Sequence, residues 1–241
     1  MHATVKKAVD LWESGEKVLV FAFYRHTCRA LRIHISREIE RRLLTAFSKD
    51  VENVQKRFFD DARSPGWKAM DRELEAIIDS RSAALDASSV SAGQRHELVN
   101  IMRRFLRAQT TLVRCFPFSD LDTLKPADAV ARTLDHRDSS NASWHEKFDT
   151  FIDFLAECSS AEREAYLEAA SRIQTGGIRV EDEDEEAGGA GSATVTVPNV
   201  QVATGKTKTE ARARLMRAFN TPFLPDILVC SEVSFKLDLM R

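Results

Sequence analysis

The sequence predicts an α/β fold, in which a parallel sheet is interrupted by a large all-helical insertion. Two nearly continuous apolar runs predict the sheet, residues 17–23 (KVLVFAF) and residues 226–232 (DILVCSE). Such runs are typical of parallel strands that helices cover on both faces. A third observation predicts the insertion, because residues 48–175 carry helical periodicity and no strand-like run.

The first elements follow a helix–strand–helix order. Residues 2–14 place apolar side chains at helical spacing, and Gly15 follows as a helix end. The strand at 17–23 comes next, and a second helix is predicted over 26–47. Its apolar positions recur every four residues: Leu31, Ile35, Ile39, Leu43 and Phe47.

The insertion is predicted to consist of several helices separated by turn signals. Breaks are expected near residues 64–66, 88–91, 117, 126 and 138–143, where proline, glycine or small polar residues cluster. Residues 176–193 include the sequence EDEDEEAGGAGS, which combines like charges with small residues. Such a segment cannot bury apolar area, so we predict an acidic, glycine-rich disordered loop.

After this loop the α/β pattern returns. Residues 195–203 are predicted to form a strand, 208–219 a helix and 226–231 a further strand. We expect strands 17–23, 195–203 and 226–231 to lie parallel in one sheet, because consecutive β-α-β units favour that arrangement. Helices 26–47 and 208–219 are expected to pack on it.

The composition is typical of a soluble globular protein. The chain has 241 residues, 43% of them hydrophobic and 30% charged, with a net charge of −2. Six acids lie together at 181–186, so the rest of the chain is net positive. No apolar run approaches the length of a membrane span, and the four cysteines are far apart, which favours a reducing, cytoplasmic setting without membrane contact.

Several common catalytic motifs are absent from the sequence. Gly205-Lys206-Thr207 resembles part of a phosphate-binding P-loop, but Val200 stands where that loop needs a glycine. A strand-to-helix turn is therefore favoured there. The histidines and cysteines show no metal-ligand spacing, and no G-x-S-x-G nucleophile elbow is present.

Four segments together resemble a known family. VLVFAFYRHTCRAL (18–31), VATG (202–205), ARLMRAFNTPFLPDILVCSEV (213–233) and LDL (237–239) resemble the C-terminal RecA-like lobe of superfamily two helicases and translocases. The segments correspond to motif IV, motif IVa and an altered motif V. The resemblance implies a discontinuous, incomplete lobe with a three-layer parallel sheet, formed by residues 1–47 and 194–241.

The resemblance also implies roles for individual residues. Thr204, Gly205 and Ser231 would contact nucleic-acid phosphates, and Asp238 would bond the ATP ribose. Strand ends of open α/β sheets are common ligand sites, which agrees with the first three assignments. From charge alone, we expect weak, salt-sensitive nucleic-acid binding through four basic residues: Arg25, Lys206, Lys208 and Arg212.

The chain departs from the family pattern in three ways. Only Ser234-Phe235-Lys236 separate the SEV and LDL segments, without the family's Glu-Gly. The sequence ends at Arg241 without the Q-x-x-G-R-x-x-R motif, and it carries no Walker A or D-E-x-H motif. We therefore expect a partial lobe that acts with a Walker-bearing N-terminal lobe or partner chain, and that uses ATP and Mg²⁺ only in the complete two-lobe enzyme.

Two further expectations concern partners. DNA is favoured over RNA, and an uncovered sheet edge or apolar face near 226–239 would promote self-association. The alternative function is a non-enzymatic helical protein-interaction module on an α/β remnant. A neighbouring reading frame that encodes Walker A upstream or Q-x-x-G-R-x-x-R downstream would favour the helicase interpretation.

We predict that the purified chain shows no ATPase activity above background, with or without nucleic acid. An arginine finger alone contributes roughly 10³–10⁵ in rate, and the Walker lysine and the magnesium-binding acid are also missing. A phosphate-release assay checks this, with a heat-treated sample as the blank. Robust turnover stimulated by nucleic acid would show this expectation to be wrong.

Overall fold

The computed structural model describes residues 1–47, 63–120, 123–172, 179–181 and 194–231. The helices in these ranges are α1 (His2–Glu13), α2 (Arg25–Phe47), α3 (Pro65–Ser80), α4 (Ser82–Ala87), α5 (Ala92–Leu106), α6 (Gln109–Cys115), α7 (Pro126–Asp135), α8 (Trp144–Glu157), α9 (Ser160–Arg172) and α10 (Thr209–Phe219). The strands are β1 (Val18–Ala22), β2 (Arg179–Glu181), β3 (Thr194–Thr196), β4 (Val200–Ala203) and β5 (Ile227–Ser231).

Three strands form one parallel sheet, in the order β1–β5–β4. Val18 and Val200 both pair with Ile227, so the three strands begin at the same level. This confirms the predicted parallel sheet for the segments 17–23 and 226–231, and for residues 200–203 of the predicted strand 195–203. The last strand in sequence lies in the centre, between two strands that come earlier.

The predicted strand over 195–203 is wrong as a single element. Residues 194–196 form β3, which pairs antiparallel with β2 in a separate two-stranded sheet, and only residues 200–203 join the main sheet. A turn divides them, because Pro198 cannot donate a ladder hydrogen bond. The Asn199 carbonyl instead accepts from the backbone N–H groups of Asp226 and Ile227, at 3.0 and 2.9 Å. Of the predicted 176–193 loop, residues 179–181 form β2, and the others lie outside the described residues.

Helices cover both faces of the main sheet. Val20 and Val229 on one face pack with apolar residues of α1 and α2, such as Val9 and Ile35. On the other face, Met216 and Phe219 of α10 pack against a smaller cluster: Ala203, Leu228 and Cys230. This two-sided burial accounts for the continuous apolar sequence of β5, all of whose residues are buried.

The insertion is helical over its described parts, as predicted, with α3 to α9 arranged around a core of their own. Four of the five predicted breaks coincide with helix starts, and the fifth, at Pro117, follows the end of α6. Pro65 and Pro126 open α3 and α7, where a missing N–H costs nothing. Ser91 and Ser143 each precede a helix and form a capping box. Their hydroxyls accept hydrogen bonds from backbone N–H groups that have no partner within the helix.

An aromatic contact joins the helical unit to the sheet. Phe223, which precedes β5, is 2% exposed and belongs to the helical core. Its ring lies 5.4–5.7 Å from those of Phe105, Phe148 and Phe151. Aromatic pairs at such distances add to the hydrophobic gain of burial. The helical unit is therefore anchored at the amino ends of the strands.

A buried carboxylate lies at the same amino edge. Asp226 is 2% exposed, and its Oδ2 accepts from Trp12 Nε1 at 3.1 Å and from Asn199 Nδ2 at 2.6 Å. The Arg114 guanidinium of α6 lies 3.2 Å from the same oxygen, and Lys17 Nζ lies 4.0 Å from Oδ1. Buried charges are stable only when paired in this way. We call these five residues the Asp226 cluster.

The expected uncovered edge near 226–239 is not found in its described part. β5 is the central strand and is fully buried, while β1 and β4 form the edges of the three-stranded sheet. Residues 232–239 lie outside the described residues. Large apolar side chains are exposed at the end of β1 instead, since Phe21 is 52% exposed and Phe23 is 71% exposed.

Gly15, between α1 and β1, provides a test of the turn that precedes the sheet. Its φ is +94°, and a β-carbon there would lie 2.5 Å from the Asp138 β-carbon. We predict that Gly15→Ala lowers the free energy of unfolding by about 2–4 kcal/mol, because strain and overpacking add. Urea denaturation measures the loss. Gly93→Ala is the matched control, since its β-carbon has no neighbour closer than 3.9 Å, and it should leave stability equal or slightly higher.

Lys17 provides a pH-dependent test of the Asp226 cluster. Burial lowers the pKa of Lys17 to about 8, and Asp226 opposes that shift only in part. Between about pH 8 and 10 the unfolded chain binds more protons at this lysine, so its contribution to stability rises with pH. We predict that, across this range, the stability of wild type relative to Lys17→Met rises by about 1–3 kcal/mol. This gain is smaller than full burial would give, because the Lys17 side chain is 28% exposed.

The matched control for the pH series is Lys125→Met, at an exposed lysine of the helical unit. Its stability should change in parallel with wild type from pH 7 to 10. Chemical denaturation at each pH gives both comparisons. If Lys17→Met also stays parallel to wild type, the buried lysine does not titrate in this range.

Candidate functional site

The carboxyl ends of the three parallel strands meet at one edge of the sheet. Ala22 pairs with Ser231, and Ala203 pairs with Cys230, so β1, β5 and β4 also end at nearly the same level. β1 and β4 are two strand spacings apart, about 10 Å. The segments that follow them, 23–25 and 204–206, therefore lie on either side of Ser231. We call this region the carboxyl edge.

The end of β1 presents two aromatic side chains to solvent. Phe23 is 71% exposed and Tyr24 is 67% exposed, and their rings meet edge to face with centroids 5.3 Å apart. Arg25 follows as the first residue of α2 and is exposed, as is His26. The N-terminus of α2 therefore opens at this edge, where helix N–H groups and the helix dipole favour negative charge.

The end of β4 is a tight turn rather than a P-loop. The Thr207 N–H donates to the Thr204 carbonyl at 2.9 Å, and the Thr204 N–H donates to Thr207 Oγ1 at 3.0 Å. These two bonds close the turn and leave Gly205 and Lys206 exposed at its tip. The structure thus confirms the predicted strand-to-helix turn.

Arg212 has a different position from the one predicted. We expected it to contact nucleic acid, but it is 7% exposed on α10, and its guanidinium donates to the Thr207 carbonyl at 3.1 Å. This hydrogen bond to a backbone carbonyl stabilises the turn from its buried side. Its long side chain is directed inward because α10 packs this part of its surface on the sheet. Of the four basic residues predicted to bind nucleic acid, Arg25, Lys206 and Lys208 are left at the surface.

Ser231 and Thr204 are less accessible in the structure than the other described residues of the predicted site. Ser231 ends β5 and is 2% exposed, so its predicted phosphate contact stays a prediction. Asp238 lies outside the described residues. Thr204 is half-buried, and no hydrogen bond of its side-chain hydroxyl falls within the described residues. Of the predicted set, Arg25, Gly205 and Lys206 are exposed together at the carboxyl edge.

The exposed aromatic pair was not predicted from the sequence. Residues 18–23 are apolar throughout, which indicated a strand covered on both faces. β1 is an edge strand, however, and on the α10 side only Leu19 joins the described apolar cluster. Phe21 and Phe23 lie further along the strand and stay exposed. The sequence feature that could have indicated this exposed pair is the position of Phe23 and Tyr24 directly before Arg25.

The groups that the carboxyl edge presents to solvent are suited to binding. Burial raises the pKa of Cys230 to about 11 and also raises that of Cys28, so neither thiol is a nucleophile at neutral pH. Across the described ranges, no three His, Cys, Asp or Glu side chains are grouped as metal ligands. Exposed cations and aromatic rings remain, which can neutralise phosphates and contact flat apolar groups.

A surface cleft with a volume of about 740 Å³ lies between α1 and α2. Its lining includes Arg41 and Arg42, but both are paired with Glu38, at 2.7 and 3.1 Å. Arg42 also pairs with Asp10 of α1. These arginines join the two helices, so this cleft is a weaker candidate for a ligand site than the carboxyl edge.

The chain matches no protein-family profile, no curated protein and no solved structure. Along the described part of the chain, no helix combines the length and apolar character that a membrane crossing requires. The functional interpretation therefore depends on the residues of the carboxyl edge and on the sequence motifs.

Proposed function

We propose that this chain is a partial C-terminal lobe of an ATP-dependent helicase or translocase, and that its own contribution is to bind a nucleic-acid backbone at the carboxyl edge. One observation carries the proposal. The segments that resemble motifs IV, IVa and V end side by side, because β1, β4 and β5 are parallel and in register. Residues far apart in the sequence thereby form one exposed basic surface.

The chemistry of the edge suits phosphates. Lys206 lies at the tip of a turn, where its ammonium group reaches solvent, and Arg25 lies at the first turn of α2. Gly205 has no side chain, so a phosphate can approach the backbone of the turn closely. Such contacts position a strand without reading its bases, which is what a translocating motor needs.

ATP hydrolysis belongs to the complete enzyme in this proposal. A complete site would combine Asp238 with groups from a Walker-bearing lobe, which would supply the magnesium-bound nucleotide. The described residues offer no cluster of acidic or histidine ligands for Mg²⁺, so no hydrolytic step is assigned to them. The chain alone binds nucleic acid and depends on its partner lobe for turnover. DNA is the proposed nucleic acid.

We predict that Lys206→Ala weakens binding to a labelled oligonucleotide and flattens its salt dependence. Each phosphate contact contributes about 0.7 to the slope of log K against log salt concentration for a single strand. The variant should lose about one such contact, and Arg25→Ala should behave similarly. Fluorescence anisotropy over a series of NaCl concentrations measures both quantities.

The matched control is Lys125→Ala, which removes the same charge from an exposed position at the start of α7. It should keep the wild-type slope. If Lys206→Ala and Lys125→Ala have equal effects, binding depends on net charge alone and the carboxyl edge is not the site. If the wild-type chain does not bind any oligonucleotide, the proposed function is wrong.

A further inference from the structure

We infer that Phe23 and Tyr24 form a stacking platform for unpaired bases, so that the carboxyl edge binds a single strand rather than a duplex. The inference rests on the proposed function, because it names the form of nucleic acid that the same edge binds. It adds two residues that contact bases to the basic residues that contact the backbone.

The two rings are unusually exposed. Phe23 and Tyr24 are 71% and 67% exposed, although most other large apolar side chains of the described residues are buried. The edge-to-face contact between them, at an interplanar angle of 67°, turns the two ring planes in different directions. Exposed aromatic residues on a protein surface commonly mark a binding site. A ring face that is open to solvent can accept one base.

Basic residues surround the two rings. Arg25 and His26 follow the pair directly, and Lys206 and Lys208 lie across the edge on the β4 side. Glu210, in the first turn of α10, is an exposed acid on the same side as these lysines. Aromatic rings next to a basic groove are the usual combination for single-stranded nucleic acid, because cations follow the backbone while bases stack.

Single-stranded and double-stranded nucleic acids differ in the base faces that they offer to such rings. In a duplex the base faces are stacked on one another, so an aromatic side chain on a protein surface reaches phosphates and groove edges only. A single strand offers free base faces. Because stacking on Phe23 or Tyr24 needs a free base face, only unpaired bases can gain binding energy from the platform.

A second copy of this chain is a poorer occupant of the same surface. A two-fold dimer would place the same patch on both partners. Arg25 and Lys206 of one copy would then face the same cations of the other, and like charges across an interface oppose association. A polyanion satisfies both the apolar and the basic parts of the surface.

The test uses the full chain, a short oligothymidylate that contains one 2-aminopurine, and a duplex of the same sequence. The double variant Phe23→Ala, Tyr24→Ala should bind the single strand at least about fivefold more weakly, the lower limit for loss of one stacked base. It should also lose the quenching of 2-aminopurine that accompanies stacking. Its affinity for the duplex should stay within about twofold of wild type.

Two control variants make the result specific. The exchange Phe23→Tyr, Tyr24→Phe keeps both rings and should retain binding and quenching. Phe154→Ala removes a partly exposed ring from α8 and should change neither. Because Phe23 and Tyr24 are exposed, the double variant should fold normally, which far-ultraviolet circular dichroism checks.

The outcomes separate the two proposals. If wild type binds single strands with salt dependence but the double variant binds equally well, the platform is wrong while the proposed function stands. The same holds if wild type prefers the duplex, or if the double variant loses only self-association in light scattering. If wild type binds neither oligonucleotide at any salt concentration, the proposed function itself fails.

Discussion

The Asp226 carboxylate is the constraint on which the arrangement of this protein depends. It is buried at the start of the central strand, and its partners come from α1, the segment before β1, the turn before β4, and α6 of the helical unit. A buried carboxylate without partners would cost several kcal/mol, so these four segments must meet whenever the chain is folded. Their meeting aligns the amino ends of β1, β5 and β4. Because parallel strands advance equally per residue, it also aligns the carboxyl ends where the proposed site lies.

The two edges of the sheet consequently have different roles. The amino edge holds the Asp226 cluster and Phe223, whose ring belongs to the core of the helical unit. That edge is closed by packing. The carboxyl edge has exposed rings and cations, and these side chains contribute little to the stability of the fold. Residues with little role in stability can be altered without unfolding the protein, so the proposed binding function and the stability of the fold can be measured separately.

Local patterns made much of the fold predictable. The apolar runs near 17–23 and 226–231 gave the parallel strands, and serine and proline signals such as Ser143 and Pro126 marked helix starts, because each acts within a few residues. The split between β3 and β4 was missed, since it depends on the Asn199 carbonyl being used by residues after α10. The burial of Arg212 and the exposure of Phe23 were also missed. Both depend on which strand lies at an edge, and this is set by pairing between distant segments that periodicity does not encode.

The central position of β5 also affects how the chain can fold during synthesis. The hydrogen bond between Trp12 and Asp226 joins residues that are 214 positions apart, and β1 pairs with no described strand other than β5. The first strand must therefore wait until β5 has left the ribosome. Helices α3 to α9 all precede β5 in the sequence, so contacts among these helices can form before β5 has been made. During this interval the apolar residues of β1 and α2 lack their final cover, which is when a chaperone would have most to bind.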